Sequence, residues 1–349
     1  MLLTLAAFIV TVGVIITIHE TGHFLAARAT RTRVKRFSIG FGPAIVSKST
    51  GETEFRLAWI PLGGYVQIAG MIDESLDDEA ITGAPDEFMS KNVFQKMFML
   101  SAGVLMNYVT AFLILAGLTA AVGIGEVRNT TVGEVISGMP AMAAGVRAGD
   151  RITAVDEKIT DTWEQLVAAI GSAGDTVAIT LDRSGEVITL RFATQNSGQG
   201  SRRRVIGVSP QVDVHAATAG DVISQGAAFC YGTTVGIIGF LRGLATGESS
   251  LSQLAGPLGV AKMSGESARQ GSGAFLFFIA YVSVSIGFLN ILPFPALDGG
   301  HIVYALVEAV IRRPISTKLK LWTQQIGLAL LIALVIFVSY HDIVRIVSP

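Results

Sequence analysis

The sequence predicts a polytopic α-helical membrane protein of about four spans, with a membrane-associated β region and one inserted extracytoplasmic α+β domain. Three observations carry that expectation. Of 349 residues, 50% are hydrophobic and 15% charged, where a soluble domain carries about a quarter charged. Four stretches free of charge approach or exceed the ~20 residues needed to cross about 30 Å of hydrocarbon. Between the second and third, the sequence changes to short alternating runs joined by turn residues. The net charge of −1, with no basic block interleaved with aromatics, gives no sign of nucleic-acid binding, and Cys230, the single cysteine, excludes an intrachain disulfide or a thiolate metal cluster.

Residues 1–29 form the first span. A signal peptide is excluded by the missing basic start and the length of the apolar run. The span ends in His19-Glu20-Thr21-Gly22-His23. Ionisable groups inside a membrane helix are costly and mark function. His19 and His23, spaced i, i+4, share one helix face. Two neutral imidazoles at that spacing suit Zn²⁺, which lowers the pKa of a bound water toward ~7. Glu20, turned about 100° away, can accept that water's proton and later hand it to a leaving amine. Alone, the five-residue pattern is common by accident, and His and Glu that merely bond neighbouring helices would be the bland alternative.

Residues 33–70 read as a cytoplasmic or re-entrant β region. Strands are expected at 34–39, 44–47, 53–60 and 65–69, with turns at Gly-Phe-Gly-Pro, Ser-Thr-Gly-Glu and Pro-Leu-Gly-Gly. Trp59, Ile60, Leu62 and Tyr65 would dip into the membrane near the metal; a hairpin at the cytoplasmic surface is the plainer alternative. A free sheet edge beside the metal would hold an unwound membrane segment as an added strand. Residues 71–92 are acidic and turn-rich, hence an exposed loop, and 93–125 form the second span.

Residues 127–212 contain the strands 177–181 and 187–192 around Asp-Arg-Ser-Gly, and a helix at 163–170. The piece "SGMPAMAAGVRAGDRITAVDEKI" resembles a PDZ domain. That resemblance implies an extended peptide, often a C-terminus, added at a sheet edge. The expected edge is near 131–136, facing the helix, with Val132, Val135, Leu166 and Ile170 as candidate contacts. A β-rich spacer without a ligand is the alternative. Residues 216–273 follow as a helix lying along the outer membrane surface and a linker.

The third span, 274–311, contains Pro293 and Pro295, which cannot continue a helix, and Gly299-Gly300. Between them lies Asp298, the only acidic residue from Ala274 to His301. Broken backbone at membrane depth is tolerated beside a water-filled cavity, and a carboxylate there is a natural third metal ligand. Counting 1.5 Å per residue, His23 and His19 lie about 7–13 Å from Arg28, and Asp298 at most about 20 Å from Arg312. The fourth span is 321–347. Basic clusters at 28–36 and 312–320 place both connections in the cytoplasm. Both termini and the inserted domain then lie outside, in a bacterial inner membrane, with the metal toward the cytoplasmic half.

Together, His-Glu-Thr-Gly-His, the PDZ-like insert and Asn-x-x-Pro-x-Pro-x-Leu-Asp-Gly-Gly-His resemble a site-2 protease, the bacterial regulator-of-sigma-E-protease-like branch. The likeness extends to "SIGFGPAI", "PLGGYV", Asn107 and "LAGPLGVA" and runs essentially end to end. It implies an intramembrane zinc metalloprotease with one Zn²⁺ on His19, His23 and Asp298 and Glu20 as general acid/base. Substrates would be single-span membrane proteins, such as anti-sigma factors trimmed beforehand outside the membrane. It implies Asn290 as a holder of substrate backbone or oxyanion, against which stands a cap near Pro293. Asn107, His301, Gly63, Gly64 and Tyr65 become second-shell or substrate-positioning candidates; for His301 a simple polar contact is the alternative. Glu308 reads as interfacial. A metal transporter would not need Glu20 or an external peptide-binding domain, and an inactive PDZ-bearing receptor would not need the intact ligand set. Co²⁺ or Fe²⁺ would suit the same three ligands.

Overall fold

The computed structural model describes residues 1–71, 82–197 and 204–347. The chain divides into two compact units, Met1–Leu118 with Val222–Pro349, and Thr119–Asp221.

The larger unit begins with α1 (Leu2–Ala29). Two long strands follow, β1 (Val34–Thr50) and β2 (Thr53–Ile68). They fold back on themselves rather than forming a simple hairpin. Phe37 lies opposite both Phe55 and Val66, and Ile39 opposite both Leu57 and Gly64. The start of β1 is therefore the middle of this small sheet, and the end of β2, from Gly64 to Ile68, is an outer edge. Trp59 and Ile60 are exposed on the sheet with Phe41, Ile45 and Val46; the Leu62 side chain and residues 72–81 of the expected acidic loop lie outside the described residues. Helix α2 (Val93–Val122) follows.

The smaller unit carries β3 (Ile124–Glu126), β4 (Val132–Val135), α3 (Pro140–Ala143), β5 (Arg151–Val155), β6 (Lys158–Ile159), α4 (Trp163–Gly171), β7 (Thr176–Arg183), β8 (Glu186–Ala193), β9 (Gln195–Asn196), β10 (Arg204–Val205), β11 (Val208–Pro210) and β12 (Asp213–His215). Its main sheet runs β6-β5-β7-β8, antiparallel throughout. Ser184 and Gly185 both adopt positive φ, the two-residue turn whose twist matches a right-handed β7–β8 hairpin. Thr162 and Gln165 close a capping box at the start of α4.

The peptide-edge expectation is corrected here. Val132, Leu166 and Ile170 are buried in the core of this unit, and Val135 packs against it. The edge at β4 is filled, because β11 pairs with it and Thr131 bridges to Arg151. The strand that fills it, residues 208–210, closes the 127–212 stretch read as PDZ-like.

The larger unit resumes with α5 (Ala219–Thr246), α6 (Pro257–Gln270), α7 (Ser272–Ile291), α8 (Asp298–Ile311) and α9 (Thr317–Val347). Among the described residues, five helices are long and apolar enough to cross a membrane: α1, α2, α5, α7 and α9. That is one more than four, and α5 is the addition. Instead of standing apart on an outer surface, α5 leans on the middle of α2. Thr234 and Tyr108 share a hydroxyl hydrogen bond of 2.8 Å, Gly226 seats the Phe112 ring, and Phe229 meets Phe277 of α7. Only Gly226 and Gly243 of α5 are buried; Ile223, Tyr231, Val235 and Ile238 stay exposed.

The chain breaks between α7 and α8. Pro293 and Pro295 supply no N–H, Ala296 sits at φ +75°, and Leu292 N–H and Leu297 N–H are satisfied by turn bonds to Leu289 and Phe294. Asp298 is the first residue of α8. At the far end, the buried Asp342 of α9 accepts from the Gly259 N–H at 2.8 Å. It thereby caps the start of α6, which explains the Leu-Ala-Gly-Pro-Leu-Gly stretch physically.

Candidate active site

α1 and α2 approach closely enough that a Cβ on Gly22 would strike the Ala102 backbone. This brings Gly103 of α2 against both imidazoles of α1, with no room for a side chain. The break after α7 then carries Asp298 to the same point. His19 Nε2 and His23 Nε2 lie 3.2 Å apart, and Asp298 Oδ2 lies 3.1 Å from the first and 3.4 Å from the second. A tetrahedral zinc with ligands at about 2.0–2.1 Å sets its ligand atoms about 3.3 Å apart. The three separations fit that triangle. Asp298 Oδ2 is also buried without a hydrogen-bond partner among the described residues, as a ligand oxygen aimed at a cation would be.

The outward nitrogens are held as well. His23 Nδ1 lies 2.8 Å from the Met99 carbonyl. A carbonyl can only accept, so Nδ1 carries the proton and Nε2 keeps its lone pair for metal. Asn107, fully buried, sets its amide 3.2 Å from His19 Nδ1. Its Oδ1 has no partner among the described residues. Turning that amide over would place Oδ1 opposite a protonated Nδ1, the arrangement a metal-bound His19 requires.

These groups open into a cavity of about 510 Å³ that Glu20 also lines. The Glu20 side chain lies against the outer edge of β2, where a Cβ on Gly64 would come 3.3 Å from its Cγ. Gly63 and Gly64 let that edge close in: a Cβ on the first would enter the Phe41 ring, and on the second would strike Ser38 O and Ile16. Tyr65 lies on the cavity wall, stacked on Phe41, with its hydroxyl taken by Arg56. Asn290 Nδ2 reaches His19 Nε2 at 3.2 Å, so this side chain stands at the ligand cluster itself rather than capping the Pro293 turn.

His301 is brought to the cavity but not into a hydrogen bond with Asp298; its ring meets Tyr304 edge-on. Val132, Val135, Leu166 and Ile170 belong to the other unit and take no part here. Two residues of the wall had no role in the sequence reading, Gln324 and Gln325. Glu308 was also underread. It is buried between Lys320 Nζ at 2.6 Å and Lys96 Nζ at 3.8 Å, and accepts from the Ile315 N–H at 3.0 Å.

The sequence pattern described as Peptidase family M50 matches residues 7–334. The chain belongs to this family. Two relatives carry the name "Putative zinc metalloprotease". One, from Clostridium perfringens, is 31% identical over 95% of this chain and 95% of its own. The other, from Mesorhizobium japonicum, is 32% identical over 97% of this chain and 98% of its own. Metalloprotease MmpA of Caulobacter vibrioides is 29% identical over 99% of this chain and 96% of its own. A solved PDZ domain from Listeria monocytogenes matches 24% of this chain and 87% of its own length, at 24% identity and a TM-score of 0.22. This M50 chain is a zinc metalloprotease of the site-2 protease family, with several apolar helices suited to a membrane.

Proposed function

We propose that this protease hydrolyses peptide bonds within or beside the membrane segment of single-span membrane proteins, with Glu20 as general base. The observation that carries the reading is that the cavity holding His19, His23, Asp298 and Glu20 also has the outer edge of β2 on its wall. A membrane helix hides its peptide bonds in internal hydrogen bonds, so it must be unwound before attack. The β2 edge can take the unwound stretch as an added strand, and Glu20 lies against that edge at Gly64.

His19 Nε2, His23 Nε2 and Asp298 Oδ2 would hold the zinc, one per chain. Zinc, when bound there, acidifies a water and polarises the scissile carbonyl. Glu20 accepts the proton of the attacking water on its carboxylate and delivers it to the nitrogen of the leaving amine. The Asn290 amide donates to the carbonyl oxygen as charge builds on it. Basic clusters put the site in the cytoplasmic half of a bacterial inner membrane, with both termini and the smaller unit outside. Substrates already trimmed outside, anti-sigma factors among them, fit a site this narrow. Since β11 occupies the β4 edge, peptide C-termini would have to meet the smaller unit at another strand edge.

A cleavage assay in liposomes tests this. A single-span substrate with a short outer tail is offered to wild type, Glu20→Gln and a chelator-treated sample, with zinc measured on each. Cutting inside the span by wild type alone, with zinc retained in Glu20→Gln, is the expected result. Zinc retained by wild type with no cutting of several unrelated substrates would overturn it.

A further inference from the structure

α9 contributes Gln324, Gln325, Leu328 and Leu331 to the wall of the cavity. Gly327 is the reason it can. A Cβ at this position would strike the backbone of Pro295, so α9 lies directly on the broken segment that precedes Asp298. Gln324, one turn earlier, shares the face of Gly327 and lines the cavity together with Gln325. Seven residues into α9, it is about 10 Å from the helix start, the depth of the His19 and His23 pair.

Gln324 is 4% exposed. Among the described residues, no hydrogen bond joins its amide to any other protein group. The amide therefore faces the cavity, where water satisfies it until another hydrogen-bonding group enters. A segment bound in the cavity that displaces this water must pair with the amide in its place. A carboxamide presents one acceptor and one donor group, as a peptide bond does.

An unwound substrate segment supplies the complement. Laid along the edge of β2, it satisfies the N–H and C=O groups of one side only; those of its other side point across the cavity and have no strand to meet. We propose that Gln324 is a substrate-positioning residue that pairs with this second row of peptide groups, with Gln325 extending the contact toward the mouth. The inference rests on the reading that substrates enter as added strands. It makes the cavity two-sided: β2 on one wall, the α9 carboxamides on the other.

The test uses steady-state cleavage of a single-span substrate by the full-length enzyme in liposomes, comparing wild type with Gln324→Leu. A second substrate carries an ester in place of one amide near the scissile bond, scanned position by position, which removes one N–H at a time. Gln324→Leu is expected to lower kcat/KM about tenfold, chiefly through KM, with zinc content unchanged and thermal midpoint unchanged or raised. At one ester position the wild type should lose about as much, and Gln324→Leu should lose nothing more. A merely structural glutamine would instead lower the thermal midpoint and show equal ester losses in both proteins, and that result overturns the inference. So does a kcat/KM that is unaltered in Gln324→Leu while wild type cuts normally. If wild type cuts no single-span substrate, the underlying reading fails and takes this one with it.

Discussion

With zinc on both Nε2 atoms, the two Nδ1 atoms must carry protons, and each needs an acceptor in a site without water to spare. The Met99 carbonyl serves His23, and Asn107 stands in the comparable position for His19. Asn107→Leu is expected to weaken zinc 10–100-fold or so, while Asn107→Asp, which keeps an acceptor opposite Nδ1, retains most of the affinity; chelator competition measures both. Glu20→Gln should behave oppositely, holding zinc fully and losing about 10²–10⁴ in turnover. His19, Glu20, His23 and Asp298 were legible in the sequence because ionisable groups in apolar runs are expensive and stand out. Gln324 was not. An uncharged amide near the start of a span reads as interfacial, and only the approach of Gly327 to Pro295, 32 residues away in sequence, turns it inward.

Helix α8 carries its ligand at one end and its anchor at the other. Glu308 ties it to Lys96 of α2 and Lys320 of α9, all three about 90% buried. Removing one member of such a set leaves charge buried and unpaired, at a cost of ~3 kcal/mol or more. Glu308→Gln should therefore lower the thermal midpoint of the detergent-solubilised protein and weaken zinc retention, although the residue lies ten positions from Asp298. Sequence reading set Glu308 aside as interfacial, near the cytoplasmic edge, because nothing along the chain brings Lys96 to it. In the smaller unit, the buried Asp150 is bonded by Arg183 at 2.7 Å. Those hydrogen bonds hold its carboxyl below the usual range. A depressed folded pKa stabilises above the unfolded value of about 3.9, and that stability is lost as pH falls through the folded value. Acid melts of the full chain should show a steep loss below about pH 4, shallower in Asp150→Asn. Strand and helix positions here followed alternation and capping, but the β4–β11 pairing did not, since β11 is three residues long and carries no pattern of its own.

At the scale of the membrane unit, the two ends of the bundle are chemically distinct. Lys91 bonds the Arg31 carbonyl and Glu308 gathers Lys96 and Lys320 at the end nearer the ligand cluster. At the other, Gly265 and Arg269 of α6 meet Thr4, and Gly259 meets Asp342. Because α6 and the start of α1 share an end, the chain cannot finish α5 on the opposite face without returning before α6. Cysteines introduced in a Cys230→Ala background test this arrangement: positions 33–36 and 312–318 should label from the cytoplasmic side, and 250–271 from outside. The basic clusters were readable from the sequence; the count expected from it was four spans, and five helices of the described residues are long and apolar enough to cross. The lean of α5 on α2 was not readable, because Gly226, Phe112, Thr234 and Tyr108 look like ordinary residues of two apolar helices until they are placed side by side. One consequence concerns how a guest gets in. The seam between α1 and α2 is shut by Gly22 and Gly103, whose neighbours leave no space even for a methyl group. A door cannot be hung on a seam that tight, so lateral traffic has to pass on the opposite flank, between the β2 edge and α9. A covalent tether across the α1–α2 seam should leave turnover intact, while one from the β2 edge to α9 should lock substrate out.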